Sequence, residues 1–310
     1  MNKYHIPVML SESVSALDLQ DGRIYVDATF GGGGHAGKIL EGGKSLQLYA
    51  FDQDPDAVAQ SKILSTKYPD NFFMIQGNFA NLRTGLALKR IKKIDGILFD
   101  LGVSSHQINK PERGFSFSLE GDLNMRMDQD KELTAFEVVN TYPFEELTRI
   151  FREYGEEKEA VRIANNIIKE RNKKEIKTTQ QLSTIIENCI LSHKSIKAKA
   201  RIFQAIRIYV NKEIETLTTA LKEAEEALNP NGRIVVISYH SLEDRIVKKF
   251  FKYEAKDCIC PPEFPKCICD KVSSLDILTV KPITASKQEI AINPRARSAK
   301  MRIARKREVL

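Results

Sequence analysis

Four short apolar runs set the pattern of the first third of the chain: RIYVD from Arg23, LQLYAF from Leu46 to Phe51, FFMIQ from Phe72 to Gln76, and IDGILF from Ile94 to Phe99. Each is β-branched or aromatic and stops at Asp, Asn or Gly, which predicts strands. Between them the apolar positions spread to helical spacing, and Asp54-Pro55 supplies a helix start, with the aspartate as N-cap and the proline in the first turn. Strands alternating with helices imply βαβ units and a parallel sheet covered on both faces. From Gln107 to Lys212 the texture changes: charge rises, β-branched runs vanish, and 3.6-residue periodicity predicts helices over 145–154, 159–170, 179–191 and 200–215. The sheet pattern resumes with RIVVISYH after an Asn229-Pro230-Asn231-Gly232 turn, and strands over 277–280 and 299–303 complete it. The expectation is an α/β fold with a seven-stranded, mostly parallel sheet. Residues 1–106 and 213–310 build the sheet domain, and 107–212 form an inserted all-helical domain. The opening HIPVML and the periodic stretch to Leu19 read as an arm and a short helix, with His5 a surface residue.

The run from Arg23 to Lys38, RIYVDATFGGGGHAGK, reads as strand, tight turn and helix start, in which glycines let backbone N–H groups approach a ligand. A P-loop would need Ser or Thr after Lys38, where Ile39 stands, so an ATPase is excluded. Gly32, Gly34 and Gly37 satisfy G-x-G-x-x-G, and Asp52 follows at the end of the second strand, where an acid binds ribose hydroxyls. That suits a nicotinamide cofactor. It suits S-adenosylmethionine equally, with Asp27, Thr29 and His35 as polar groups for the methionine end, and the glycines alone do not choose. Asp27, Asp52, Phe79 and Asp100 all fall at strand ends, which gathers them around one crevice. His240, ending the fifth strand, is a further candidate proton acceptor there, while Glu243, Asp244 and Arg245 read as a helix first turn with its ion pairs.

Composition adds limits. The apolar share of 42% is ordinary for a globular protein, and no apolar run is long enough to span a bilayer. No signal peptide opens the chain, so a cytoplasmic protein with reduced cysteines is expected. The net charge is +7, and the two most basic stretches, SHKSIKAKAR (192–201) and the run from Arg295 to Arg307, contain no acid. Such clusters suit phosphate contacts. Cys258-x-Cys260 and Cys267-x-Cys269 make a compact candidate zinc site, but structural zinc usually takes C-x₂-C pairs, so no metal is assigned.

HIPVML, VDATFGGGGHA, FDLGVSSHQ, ERGFSF, LNMRMD, YGEE, IFQAIRIYVN, SYHSLEDRIVK and NPRARSAKMR stand in this order along the chain. Together they resemble the bacterial RsmH (MraW) family of S-adenosylmethionine-dependent methyltransferases, which act on N4 of a cytidine in 16S ribosomal RNA near the ribosomal P site. The resemblance implies a class I, Rossmann-like methyltransferase domain with a helical insertion that recognises RNA. It implies cofactor contacts at Gly33, Gly34, His35, Asp52, Phe79, Asp100 and Gln107, of which Gln107 rests on the resemblance alone. The partner it implies is 16S rRNA in the small ribosomal subunit, with no membrane, and it leaves a homodimer open. The chain departs from the family pattern at His106, Asn109 and Asn124, the last replacing an aspartate. Cytosine N4 has its lone pair delocalised into the ring, so an acceptor must draw it towards tetrahedral geometry, and Asp100 is the candidate. Arg113 and Arg126, after the fourth-strand loop, are placed to meet the target. A nicotinamide oxidoreductase would leave the insertion and the basic clusters without purpose. A non-catalytic ribosome assembly factor would not need the cofactor loop.

Overall fold

The computed structural model describes residues 7–261, 263–264 and 266–308; His5 lies outside them. The chain divides into two compact units, one made of the residues up to Gly102 and from Glu215 onward, the other of Val103–Ile214.

In the first unit one sheet contains β1 (Ile24–Asp27), β2 (Gln47–Asp52), β3 (Phe72–Gln76), β4 (Ile94–Asp100), β5 (Leu228–Ser238), β6 (Leu275–Ile277), β7 (Ile283–Thr284) and β8 (Lys300–Lys306). Seven strands run in the order β3-β2-β1-β4-β5-β8-β6, and the two-residue β7 pairs with β8 off that path. β1 to β5 are parallel, and β8 is antiparallel to its neighbours. The chain leaves β1 in one direction to build β2 and β3 and returns to its other side with β4. The switch point therefore lies between β1 and β4, where the carboxyl ends of a parallel sheet open a crevice.

Helices α1 (Leu10–Leu17), α2 (Gly34–Glu41), α3 (Pro55–Lys67) and α4 (Leu82–Leu88) belong to this unit. The second unit contains α5 (Ser105–Asn109), α6 (Ala135–Thr141), α7 (Phe144–Glu153), α8 (Ala160–Arg171), α9 (Thr179–Glu187) and α10 (Ser192–Asn211). α11 (Glu213–Ala227), α12 (Ser241–Glu254) and α13 (Lys287–Ile292) follow. Because strand side chains alternate, each parallel strand feeds two cores. Tyr25, Leu48, Leu98 and Val235 pack with Leu17 of α1 and Ile39 of α2. Their neighbours Val26, Tyr49, Phe99 and Val236 pack with Leu82 of α4, Leu221 of α11 and Phe251 of α12. Among the described residues, no helix is long and apolar enough to cross a membrane.

Local details refine the expected boundaries. Asp54 caps α3 by accepting the Asp56 N–H, with Pro55 in the first turn. The Asn229–Gly232 segment is not a turn before the strand but an irregularity inside β5: Ile94 pairs with Leu228, and Gly96, two residues on, pairs with Arg233. β6 spans Leu275–Ile277 and meets the strand expected over 277–280 at Ile277 alone. The helix expected over 200–215 begins at Ser192 and ends at Asn211, because Lys212 takes a left-handed conformation with φ 52° and α11 starts anew at Glu213.

The second unit has its own core, with Phe151, Ile163, Leu182, Ile186, Ile202 and Ile206 fully or almost fully buried. Arg113 and Arg126 do not wait there for a target. Arg113 is buried and donates to the carbonyls of Arg126 and Met127. Arg126 donates to the Asn124 side chain and to the carbonyls of Gln129 and Lys131. Both hold the 124–131 loop, and Asn124 serves as a neutral acceptor, taking the Arg126 backbone N–H as well.

Candidate active site at the carboxyl edge of the sheet

Three strands of the first unit end in aspartate, and hydrogen bonds from the glycine turn and β5 lock those ends together. Asp27, closing β1, is fully buried, and its Oδ1 accepts the Thr29 N–H at 3.1 Å. Its Oδ2 is buried with no hydrogen bond of regular geometry among the described residues, and the Ala36 N–H is a second backbone donor that acts on this carboxyl. Burial pushes this carboxyl up to about 6, against a downward pull from the His35 ring and the Thr29 N–H. Thr29 accepts the Asp100 N–H at 2.7 Å, tying the β1 turn to the end of β4.

The turn that follows is built on backbone conformations that side chains disfavour. Gly33, at φ 75°, caps α2, and a Cβ there would lie 2.7 Å from the Phe30 ring. A Cβ on Gly34 would lie 2.2 Å from Pro7 Cγ. The turn is held to β2 by Asp52, whose Oδ2 accepts the Gly31 N–H at 2.8 Å while Oδ1 accepts the Asp54 N–H at 2.9 Å. Desolvation, with Asp54 and Asp27 nearby, pushes the Asp52 carboxyl up to about 6 against those two hydrogen bonds. Each oxygen keeps a lone pair for a further donor.

His35, the second residue of α2, is buried; its Nε2 lies 3.1 Å from the Val8 carbonyl and so carries a hydrogen. Its Nδ1 is 3.6 Å from Asp100 Oδ2. The other Asp100 oxygen accepts the Tyr239 hydroxyl at 2.7 Å. Asp100 is thus flanked by an imidazole from the glycine turn and a phenol from the end of β5. Burial first and the Asp100 charge second push the Tyr239 phenol well above its ordinary value, so it stays a donor. Tyr239 is fixed in turn by buried Glu243, which accepts its backbone N–H at 2.8 Å. His240, the sequence candidate for a proton acceptor, instead caps α12 and lies 3.1 Å from Glu243, which makes it a structural residue of the helix start. Phe79 stands after β3, half-buried, edge-on to Phe99 at 5.7 Å.

Asp27, His35, Asp52 and Asp100 therefore meet at one edge of the first unit. Gln107 lies in the second unit, where its side chain accepts the Ser104 N–H at 3.0 Å and closes a capping box on α5. Sequence reasoning missed Tyr239. The visible signal was a tyrosine directly after the apolar run of β5, but its meaning depends on β5 lying beside β4.

Chemically the edge is acidic. Among the described residues, no Lys or Arg pairs with Asp27, Asp52 or Asp100. Such an edge favours a ligand rich in hydroxyls and positive charge.

The model of the MraW methylase family matches residues 2–307. A protein of Caldicellulosiruptor saccharolyticus named ribosomal RNA small subunit methyltransferase H is 51% identical over 304 residues, covering 97% of this chain and 99% of that protein. Its namesakes in Halothermothrix orenii and Clostridioides difficile are 48% and 44% identical, covering 97% and 99% of this chain and 97% and 100% of theirs. Among solved structures, a putative methyltransferase from Streptococcus mutans in complex with SAH aligns at a TM-score of 0.45 and 13% identity, over 97% of this chain and 99% of that one. A match that loose carries no argument about the site. With one family model matched from end to end and relatives about half identical over their full length, the chain belongs to the MraW methylase family.

Proposed function

We propose that this protein is an S-adenosylmethionine-dependent methyltransferase of 16S ribosomal RNA that modifies N4 of a cytidine near the P site of the small subunit. The observation that carries the reading is the acidic edge at the β1/β4 switch point, with Asp27 fully buried and Asp100 held by the Tyr239 hydroxyl. The cofactor brings an ammonium, a sulfonium and ribose hydroxyls, all of which suit carboxylates. A nicotinamide dinucleotide would set its pyrophosphate on the N–H groups of the glycine turn, where the buried Asp27 carboxyl would repel its charge rather than attract it. The edge favours the first.

S-adenosylmethionine, when bound, supplies an already activated methyl group. Asp27, Gly33, Gly34 and His35 would hold its methionine end, Asp52 the ribose hydroxyls and Phe79 the adenine; a contact at Gln107 rests on the family pattern alone. Asp100 is assigned to the boundary between cofactor and base. Its carboxylate accepts a hydrogen bond from the exocyclic amine and draws that nitrogen out of conjugation with the ring. The Tyr239 hydroxyl keeps the carboxylate from rotating away. A base must be unstacked to reach such a site, which favours a non-duplex stretch of RNA.

The test is methyl transfer from radiolabelled S-adenosylmethionine to small subunits from a strain lacking this gene, followed by nucleoside analysis. Label in N4-methylated cytidine is expected, and Asp100→Asn should slow turnover about a hundredfold or more. Label in another nucleoside would end the N4 assignment. Cofactor binding without any labelled RNA would favour a non-catalytic assembly factor.

A further inference from the structure

The four cysteines that sequence spacing left without a metal converge in space. The segment joining α12 to β6 is tied at its base: the Ser274 N–H reaches the Glu254 carbonyl at 2.8 Å, and the Ser273 hydroxyl donates to Asp257 at 2.5 Å. Beyond that base the apolar side chains Ile259, Phe264 and Ile268 are exposed, so the tip has no core to hold it. What crosses the tip is sulfur. The Ile259 N–H points at Cys269 Sγ and the Ile268 N–H at Cys260 Sγ, each at 3.4 Å. The residue between the first pair donates to the last cysteine of the second pair, and the reverse holds, so the two Cys-x-Cys turns face each other as like halves. The Cys260 N–H donates to Cys258 Sγ, also at 3.4 Å.

Ligand atoms of Cys258, Cys260, Cys267 and Cys269 all lie within 4.8 Å of one another, and all four thiols are free. A tetrahedral zinc with Zn–S bonds of about 2.3 Å sets neighbouring sulfurs roughly 3.8 Å apart. Cys269 and Cys258 are separated by 3.8 Å, and Cys267 and Cys269 by 3.5 Å. A disulfide needs about 2.05 Å. Backbone N–H groups aimed at sulfur are the outer contacts that support thiolate ligands. Sulfurs this close suit one ion and cannot straddle a multi-iron cluster. The C-x-C spacing, which argued against metal along the chain, is offset by how the turns oppose each other.

We propose that Cys258, Cys260, Cys267 and Cys269 bind one structural zinc ion as tetrahedral thiolates and that this ion orders the loop between α12 and β6. All four positions are taken by protein, so the site is closed and holds no open position for catalysis. The full-length protein, purified under reducing conditions without added metal, is expected to carry about one zinc per chain by mass spectrometry of the metals. Cys258→Ser with Cys269→Ser should lower that at least tenfold. Cobalt(II) added to metal-stripped wild type should give the intense thiolate-to-metal absorption of a tetrahedral sulfur site, a readout independent of how the variant folds. Substoichiometric metal with no cobalt spectrum would overturn the proposal. So would iron recovered in place of zinc, or an intact mass showing two disulfides in freshly isolated protein.

Discussion

Two groups of carboxylates share the sheet of the first unit and live under opposite electrostatics. At the carboxyl edge, Asp27 and Asp52 are desolvated without a paired Lys or Arg among the described residues, and burial pushes both up to about 6. Around β8 the acids have cations. Asp244 accepts from Arg302 at 2.6 Å with Lys300 at 3.5 Å, Asp276 takes Arg305 and Arg307, and Glu225 takes Lys306. Burial raises Asp244, but Arg302 and Lys300 outweigh it and hold the carboxyl below its ordinary value. Hydrogen bonds from Arg307 and Arg305 hold Asp276 down as well. The second group stabilises the fold. The first costs stability, and that cost is relieved when a ligand supplies hydrogen bonds and positive charge.

The largest effect in this contrast is expected from Arg302→Met. It removes the buried partner of Asp244 and should lower unfolding free energy by about 3 kcal/mol in urea titration. A loss below about 1 kcal/mol would mean that Lys300 alone compensates the carboxylate. Asp27→Asn should act in the opposite direction. The folded-state value of Asp27 is raised, so the native state holds a proton that the unfolded chain releases, and the ligand-free protein loses stability as pH rises from about 4 to 6. The amide should remove the Asp27 share of that slope, leaving the share of Asp52, and make the ligand-free protein about 1–2 kcal/mol more stable at neutral pH while weakening cofactor binding. Asp244 and Asp276 give the reverse limb, with stability lost as pH falls below about 4. Denaturation midpoints across pH, without and with S-adenosylmethionine, check both signs. An unchanged slope in Asp27→Asn would remove Asp27 from the account.

How much of this was legible follows from where each signal lies. β3 and the Asp54-Pro55 cap were readable to the residue, because an apolar run and a breaker are local events. The strand-end aspartates were readable too, since topology alone sends parallel strand ends to one edge. Tyr239 was not, because its contact with Asp100 spans 139 residues and depends on strand order. Lys212 breaks the long helix without glycine or proline, through a left-handed cap that no residue type announces. Arg113 and Arg126 read as basic groups near a loop; only the carbonyls they serve reveal that they hold it. The run from Arg295 to Arg307 looked like a phosphate-binding stretch. From Lys300 on it is a strand with its immediate flank whose cations are paired, while Arg295 and Arg297 lie in the short turn before it.

The smallest effect on stability, and the clearest test of what paired and unpaired charge do, belongs to α10. It shares the basic texture of β8 but only part of its pairing. Lys199 lies 3.5 Å from Glu187 and Arg201 lies 3.1 Å from Glu157, whereas Lys194 and Lys197 are exposed. Replacing both exposed lysines by alanine should change unfolding free energy by no more than about 0.5 kcal/mol. If they meet phosphates, the slope of log affinity for single-stranded rRNA against log salt should fall by roughly 1.4, about 0.7 for each phosphate no longer neutralised. Arg305→Ala should do the reverse, weakening the fold while leaving the salt slope unchanged, because its charge is already matched by Asp276. A slope that moves with Arg305 and not with the lysines would place the RNA on β8, and the division between structural and available charge would have to be redrawn.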